Sequence, residues 1–215
     1  MTPQTALERG IEELGTGLPA GCSGQLLRYL GLLEKWNRTY NLTAIRDPLA
    51  MVSHHLLDSL SVLRHLPLSD GAAQLADAGS GAGLPGIPLA LARPSWRVAL
   101  IESNQKKAAF LRQAAIELGL ANVEVHEGRV EAWRPAERFA LVISRAFTEL
   151  AQFVAACRHL IGAGGVLAAM KGKHPQEEID RLPAGIRCRE VIRLRVPFID
   201  AERHLVLCEA VASIP

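Results

Sequence analysis

The feature that most constrains this chain is a cluster of glycines wedged between a short apolar run and a helical stretch. Gln74–Ala78 reads as a β-strand, Asp77-Ala78-Gly79-Ser80-Gly81-Ala82-Gly83 overlaps its end, and Ile87–Ala92 continues as a helix. Glycines let the backbone turn tightly and approach a ligand, and strand, loop and helix in that order are the setting in which such a loop carries meaning. The alternation continues downstream. Strands are expected at Val98–Glu102, Val123–His126, Leu141–Arg145 and Val166–Lys171, with helices at Gln105–Leu118, Glu149–Ile161 and Pro175–Leu182. That alternation describes a parallel sheet with crossover helices, an α/β fold. Two last runs, Glu190–Val196 and His204–Val211, are separated by the Pro197–Arg203 loop alone. The loop is too short for a parallel crossover, so these runs should form an antiparallel hairpin.

Upstream of Gly71 the periodicity is helical throughout, from about Thr5 to Leu66, with Leu26, Leu30 and Leu33 on one stripe and Val52, Leu56, Leu60 and Leu63 on another. Asp47–Pro48 opens the third helix as an N-cap followed by proline. The expected organisation is a helical segment, residues 1–68, packed on an α/β domain, residues 69–215. A chain of 215 residues with 49% hydrophobic content can bury one sizeable core. Glu8, Arg9, Glu12 and Glu13 stand where a secretory signal would be apolar, and no apolar stretch is long enough to span a bilayer, so the expectation is a cytoplasmic protein without membrane contact. Cys22, Cys157, Cys188 and Cys208 lie far apart with no CxxC pair, which suggests neither a zinc site nor disulfides. They read as buried or inert, and no metal is expected. A monomer is the default, because no long apolar stripe is left unpartnered. The net charge of +2 does not by itself announce nucleic acid, although Lys106/Lys107, Lys171/Lys173 and Arg187–Arg195 gather cations that can track phosphates if they share a face.

The glycine loop supports two readings. Its DxGxGxG form resembles motif I of S-adenosylmethionine-dependent methyltransferases, whereas Gly81-Ala82-Gly83-Leu84-Pro85-Gly86 also fits the dinucleotide pattern GxGxxG. The loop alone leaves both open. A Walker A triphosphate site is excluded, because Ile87 stands where its lysine is required. Glu102 ends the next strand at about the twenty-residue spacing where a carboxylate accepts from ribose hydroxyls, a role both readings share.

Further motifs resemble a single family, the bacterial RsmG methyltransferases, also called glucose-inhibited division protein B. The resemblance runs through Trp36–Thr43, His55–Leu60, the loop Asp77–Pro88, Glu102-Ser103 with Lys106-Lys107, Gly128–Glu131, Ser144–Phe147, Lys171-Gly172 and Glu202–His204. It covers the chain from about residue 25 onward, with no departure at a motif position. What it implies is a class I methyltransferase sheet, S-adenosylmethionine as donor, and N7 methylation of one guanine in a loop of 16S rRNA, free or in the small ribosomal subunit. Carried over, it places Gly79 and Leu84 along the cofactor, Val130 and Glu131 by its adenine, and Arg145 closing the site from the fourth strand; Gly81 of the same loop and Glu102 complete the expected cofactor set.

Guanine N7 has a lone pair and no proton, so that chemistry needs positioning rather than a general base. Two competing acceptors lack their motifs: Ser144–Phe147 replaces the Asn/Asp-Pro-Pro-aromatic segment of exocyclic-amine methylation, and the Pro-Cys nucleophile of pyrimidine C5 methylation is absent. Lys106, Lys171 and Arg203, at strand ends or in the hairpin loop, are the candidates to hold phosphate or the guanine O6. His55 and Asp58, three apart on a helix, read as a structural hydrogen-bonding pair that docks this helix on the catalytic domain. Trp36, Tyr40 and Asn41 read as core and interface.

Overall fold

The computed structural model describes residues 1–145, 147 and 149–211; Ala146 of the Ser144–Phe147 segment lies outside them. Helices α1 (Pro3–Leu14) and α2 (Cys22–Tyr40) come first, followed by α3 (Pro48–Met51), a π-helical stretch Val52–Leu57, and α4 (Asp58–Leu60). Asp47 caps α3 as expected, its carboxylate accepting from the Ala50 amide at 2.7 Å. The separate helices expected here are present, with breaks that the stripes did not place, α1 ending at a left-handed Gly15 and α2 at a left-handed Asn41, and the last helix ends at Leu60 rather than Leu66. A left-handed residue breaks the i to i−4 ladder, a local event that a hydrophobic stripe does not register.

The remaining elements are β1 (Gln74–Ala78), α5 (Gly86–Ala92), β2 (Arg97–Glu102), α6 (Gln105–Leu118), β3 (Val123–Glu127), β4 (Phe139–Ser144), α7 (Leu150–Cys157), β5 (Ile161–Lys171), α8 (Gln176–Ile179), β6 (Ile186–Arg193) and β7 (His204–Ala210). They build a seven-stranded sheet in the order β3-β2-β1-β4-β5-β7-β6. The first five strands are parallel, and β7 runs antiparallel to both β5 and β6. The hairpin is therefore present, with its second strand inserted beside β5. The α/β architecture is the one expected, and its boundaries shift in the last third. Helix α7 stops at Cys157, a 3-10 turn covers Arg158–Leu160, and β5 starts at Ile161, where the sequence pattern carried the helix on. Strand β6 begins at Ile186 rather than Glu190 and ends at Arg193 rather than Val196. It is an edge strand in which Ile186-Arg187-Cys188-Arg189 alternates, but the bulge between Cys188 and Glu190 breaks that period ahead of Val191, so the first residues do not join the apolar run that follows.

Sheet residues alternate between two cores. Leu75, Leu141, Ile143, Leu205 and Leu207 face α1 to α6, where both predicted stripes of α2 and the third helical region are buried. Ala76, Val142, Val206 and Cys208 face α7. The period of two in a strand separates the faces, so both need apolar residues and the central strands read as continuous runs. One face thus carries all the N-terminal helices, which brings the segment 42–58 to the carboxyl ends of β1, β4 and β5.

Candidate active site

Strand β1 delivers Asp77 into the sheet, fully buried. Its Oδ2 accepts from the Gly86 amide at 2.9 Å, spanning the loop and tying its end to its start. Burial pushes the Asp77 carboxyl up to about 7, against the opposing effect of that amide bond. Between the two anchors Gly79, Gly81 and Gly83 take φ of 71°, 58° and 88°, left-handed values that a side chain would strain. From behind, the buried Tyr29 hydroxyl of α2 donates to the Ala82 carbonyl at 2.7 Å. Tyr29 is a support that sequence reasoning missed, since nothing local distinguishes it from an ordinary core tyrosine.

Glu102 completes the loop. Its Oε2 accepts from the Gly81 amide at 2.8 Å and its Oε1 from the Asn104 amide at 2.8 Å. Two of about four acceptor positions on the carboxylate are thereby used in shaping the bend, and others remain for hydroxyls. The loop, Glu102, Leu42, Thr43, His55, Lys107 and Arg145 line a cleft of about 410 Å³. Of the predicted cofactor residues, the cleft gathers Gly79, Gly81, Leu84, Glu102 and Arg145. Val130 and Glu131 stand outside its lining, in a 3-10 turn after β3, with Val130 buried and Glu131 exposed. The Gly128 amide nevertheless ties that turn to Glu102 by donating to its carbonyl at 3.0 Å. The glycine-rich bend and the carboxylate beside it suit an adenosyl group, whose ribose offers vicinal hydroxyls and whose bulk needs a close backbone approach.

A second cavity of about 500 Å³ adjoins the first, lined by Thr43, Ile45, His54, His55, Asp58, Arg145, Met170, Lys171, Leu194, Arg203 and His204 among others. Thr43, His55 and Arg145 belong to both cavities and form their common wall. Asp58 organises this wall. Its carboxylate accepts from Arg145 through Oδ2 and from Arg203 through Oδ1, each at 3.1 Å, so one buried acid from the helical segment grips the end of β4 and the hairpin loop. Arg145 also donates to the His54 carbonyl at 3.0 Å. The docking role expected of this helix falls to Asp58, but not through a bond to His55. Instead the His55 Nε2 meets the Thr43 hydroxyl at 2.9 Å, because the π-helical turn takes the two residues to different partners. Burial, and then the nearby Arg145, push His55 down to about 4, so its imidazole is neutral near pH 7.

The three predicted substrate-positioning cations fare differently. Lys171 and Arg203 line the second cavity, each already held by an acid: Lys171 Nζ lies 2.7 Å from Glu178 and Arg203 is on Asp58. Lys106 is exposed in the first turn of α6 and lines neither cavity; its neighbour Lys107 lines the first. Helical rotation decides between adjacent lysines, and the sequence pair does not reveal it. Trp36 is part of an aromatic cluster with Phe110, at 5.6 Å, and Tyr40, at 5.3 Å, while Tyr40 itself is 41% exposed. Asn41 caps α2, and its neighbour Asn37 is the buried amide, accepting from the Thr43 amide at 2.9 Å.

Elsewhere, a hollow of about 540 Å³ opens between Pro19–Cys22 and Leu118–Asn122, away from the strand ends. Burial holds its one thiol, Cys22, protonated, pushed up to about 11. Cys157 and Cys208 are likewise pushed up to about 12 by burial, and Cys188 is half-buried. Among the described residues no group of His, Cys, Asp or Glu is arranged to hold a metal ion, and no helix is long and apolar enough to cross a membrane.

Residues 23–206 match the GidB family, described as rRNA small subunit methyltransferase G. The chain is 52% identical, over 97% of its own length and 92% of the relative's, to the ribosomal RNA small subunit methyltransferase G of Burkholderia thailandensis. It is 51% identical to the protein of the same name from Nitrosospira multiformis, over 96% of this chain and 97% of that one. Among solved structures, a SAM-dependent methyltransferase from Aquifex aeolicus shares the fold with a TM-score of 0.59 at 20% identity, covering 80% of this chain and 97% of that one.

Proposed function

We propose, starting from the fact that the chain belongs to the GidB family of small-subunit rRNA methyltransferases, that it transfers a methyl group from S-adenosylmethionine to N7 of a guanine in 16S rRNA. Membership sets aside the dinucleotide alternative that the glycine loop left open. The observation that supports the reading furthest is the pair of adjoining cavities with a common wall of Thr43, His55 and Arg145. In-line displacement requires acceptor and donor on either side of a single transfer point, and two contiguous clefts provide it.

In the donor cleft, Gly79, Gly81 and Leu84 supply the close backbone and an apolar wall, and Glu102 the hydroxyl acceptor. S-adenosylmethionine, when bound, supplies an electrophilic methyl group. Everything else is positioning, which can contribute up to about 7–11 kcal/mol to lowering a barrier. The common wall suits this. His55 is neutral and Asp58 offsets part of the charge that Arg145 and Arg203 bring, so the wall is less positive beside a cationic donor than its arginines alone would make it. In the acceptor cavity, Lys171 and Arg203 offer donors of the kind that hold O6 or a phosphate, and Lys107 joins them from the donor side in place of Lys106. No proton has to leave a guanine N7, in keeping with a wall whose imidazole pairs with a hydroxyl rather than with an acid. Because N7 lies on the deep, narrow groove edge of A-form RNA, the target guanine is unstacked or in an irregular loop. We read residues 1–68 as a helical segment whose Thr43, His55 and Asp58 complete the site of the domain formed by residues 69–215, acting as a monomer in the cytoplasm.

The test incubates the purified chain with methyl-labelled S-adenosylmethionine and either protein-free 16S rRNA or isolated small subunits lacking the modification, followed by nucleoside mass spectrometry. Label is expected in 7-methylguanosine. Label in another nucleoside would overturn the N7 assignment, and none in either substrate would overturn the activity.

A further inference from the structure

The loop that brings Arg203 to the acceptor cavity carries an aromatic residue that its own turn disfavours. The Ile199 amide donates to the Val196 carbonyl at 3.1 Å, closing a four-residue turn with Pro197 second and Phe198 third. Phe198 has φ of 66°. Proline second and positive φ third are the marks of a turn whose third position takes glycine or asparagine, and a bulky side chain there is strained. Strain of this kind persists where the surroundings impose it, and it collects at functional sites.

The surroundings do impose it. Leu194 and Val196 are buried, and the Leu194 amide donates to the Arg203 carbonyl at 2.8 Å, closing the base of the loop. Arg203 is then fixed to Asp58. The Phe198 side chain is nonetheless 46% exposed, so packing does not account for an aromatic at this point. Leu194 and Arg203 both line the acceptor cavity. Four residues of chain reach at most about 14 Å, which places Phe198 within a few nucleotides of that cavity. Arg193 and Arg195 of the same segment are exposed and make no ion pair among the described residues.

We propose that Phe198 is a stacking platform for an unpaired base next to the target guanine in the same RNA strand, with Arg193 and Arg195 meeting the adjoining phosphates. The inference rests on the rRNA reading above. Drawing a guanine out of its stack uncovers the face of its neighbour, and an exposed aromatic ring beside the cavity covers that face again. Arginines that are free of acids are the groups available for phosphate.

Two measurements test it, using Phe198→Leu, Phe198→Gly and Phe198→Tyr in the full chain. The first follows the fluorescence of a single-stranded oligoribonucleotide carrying 2-aminopurine, which stacking quenches, as protein is added. The second measures KM and kcat for methylation of rRNA alongside the Kd for S-adenosylmethionine. The expected result is quenching by the wild type and by Phe198→Tyr, and its loss in Phe198→Leu and Phe198→Gly. RNA affinity should fall about 5- to 150-fold in the latter two, the equivalent of about 1–3 kcal/mol for one stacked base, with kcat and cofactor Kd unchanged. Phe198→Gly relieves the positive φ and should melt within a few degrees of the wild type, so misfolding does not confound it. Equal quenching and equal RNA affinity in all four proteins would overturn the proposal. So would a defect on intact small subunits with none on protein-free RNA, which assigns Phe198 to a ribosomal-protein contact. Failure of the wild type to form 7-methylguanosine is a different result and refutes the functional reading instead.

Discussion

Asp58→Asn is the substitution that most directly probes how the site is assembled. The Asp58 side chain is 5% exposed, while Arg145 and Arg203 are 28% and 24% exposed, and each arginine meets a different carboxylate oxygen at 3.1 Å. Asparagine keeps one carbonyl oxygen, which can accept from one guanidinium, and turns an amide NH2 toward the other. One charge-assisted hydrogen bond, worth about 1.5–3 kcal/mol, is therefore lost outright and the survivor is weakened. Leaving a fully buried charge without its partner costs about 3–5 kcal/mol, but a quarter-exposed arginine recovers part of that from water. The expected destabilisation is about 2–3 kcal/mol. In a chain of this length each kcal/mol moves Tm by about 2–4 °C, so the variant should melt about 4–12 °C lower. Urea unfolding of wild type, Asp58→Asn, Arg203→Met and the double variant gives the coupling energy, expected at about 1–2 kcal/mol for a direct contact. A single-variant loss below about 0.5 kcal/mol, with no coupling to Arg203, would refute the view that this carboxylate ties the helical segment to the hairpin loop.

Three further outcomes follow from the geometry. Glu102→Ala leaves the Gly81 and Asn104 amides and the donor's hydroxyls unpaired, and should weaken S-adenosylmethionine binding by about 1–3 kcal/mol in calorimetric titration, an unchanged Kd returning Glu102 to a purely local role. Gly86→Ala would put a methyl against Leu100 and 2.8 Å from Asp77 Oδ2, so overpacking of about 1–3 kcal/mol in denaturant unfolding, together with loss of cofactor affinity, is expected. Burial depresses His55 to about 4 from its usual 6.5, so the stability it contributes is present above pH 6.5 and is lost as pH falls toward 4, by up to about 3 kcal/mol. Comparing urea midpoints at pH 7.5 and 4.5 in wild type and His55→Gln isolates this, because Asp77 titrates in both proteins; equal pH dependence would show that His55 is not buried neutral.

What the sequence determined by itself was local or periodic. The glycine loop, the capped start at Asp47, the order of strands and helices through α6 and the existence of a hairpin all depend on residues within a few positions of one another, or on an apolar period that a strand or helix must display to be buried. The position of Glu102 beside the loop belongs with these, since it depends on a fixed distance along the chain from a recognisable motif. The tertiary structure decided what depends on rotation and on distant partners. Lys107 rather than Lys106 turns toward the cleft, and a bulge in the edge strand β6 separates its first residues from the apolar run after Glu190. Tyr29 supports a loop 53 residues away, and Asp58 takes two arginines 87 and 145 residues along the chain. Such pairings leave no periodic trace, because a side chain's partner across the fold is chosen only after the sheet order has placed both elements, and here that order brings the amino-terminal helices over the carboxyl ends of the strands.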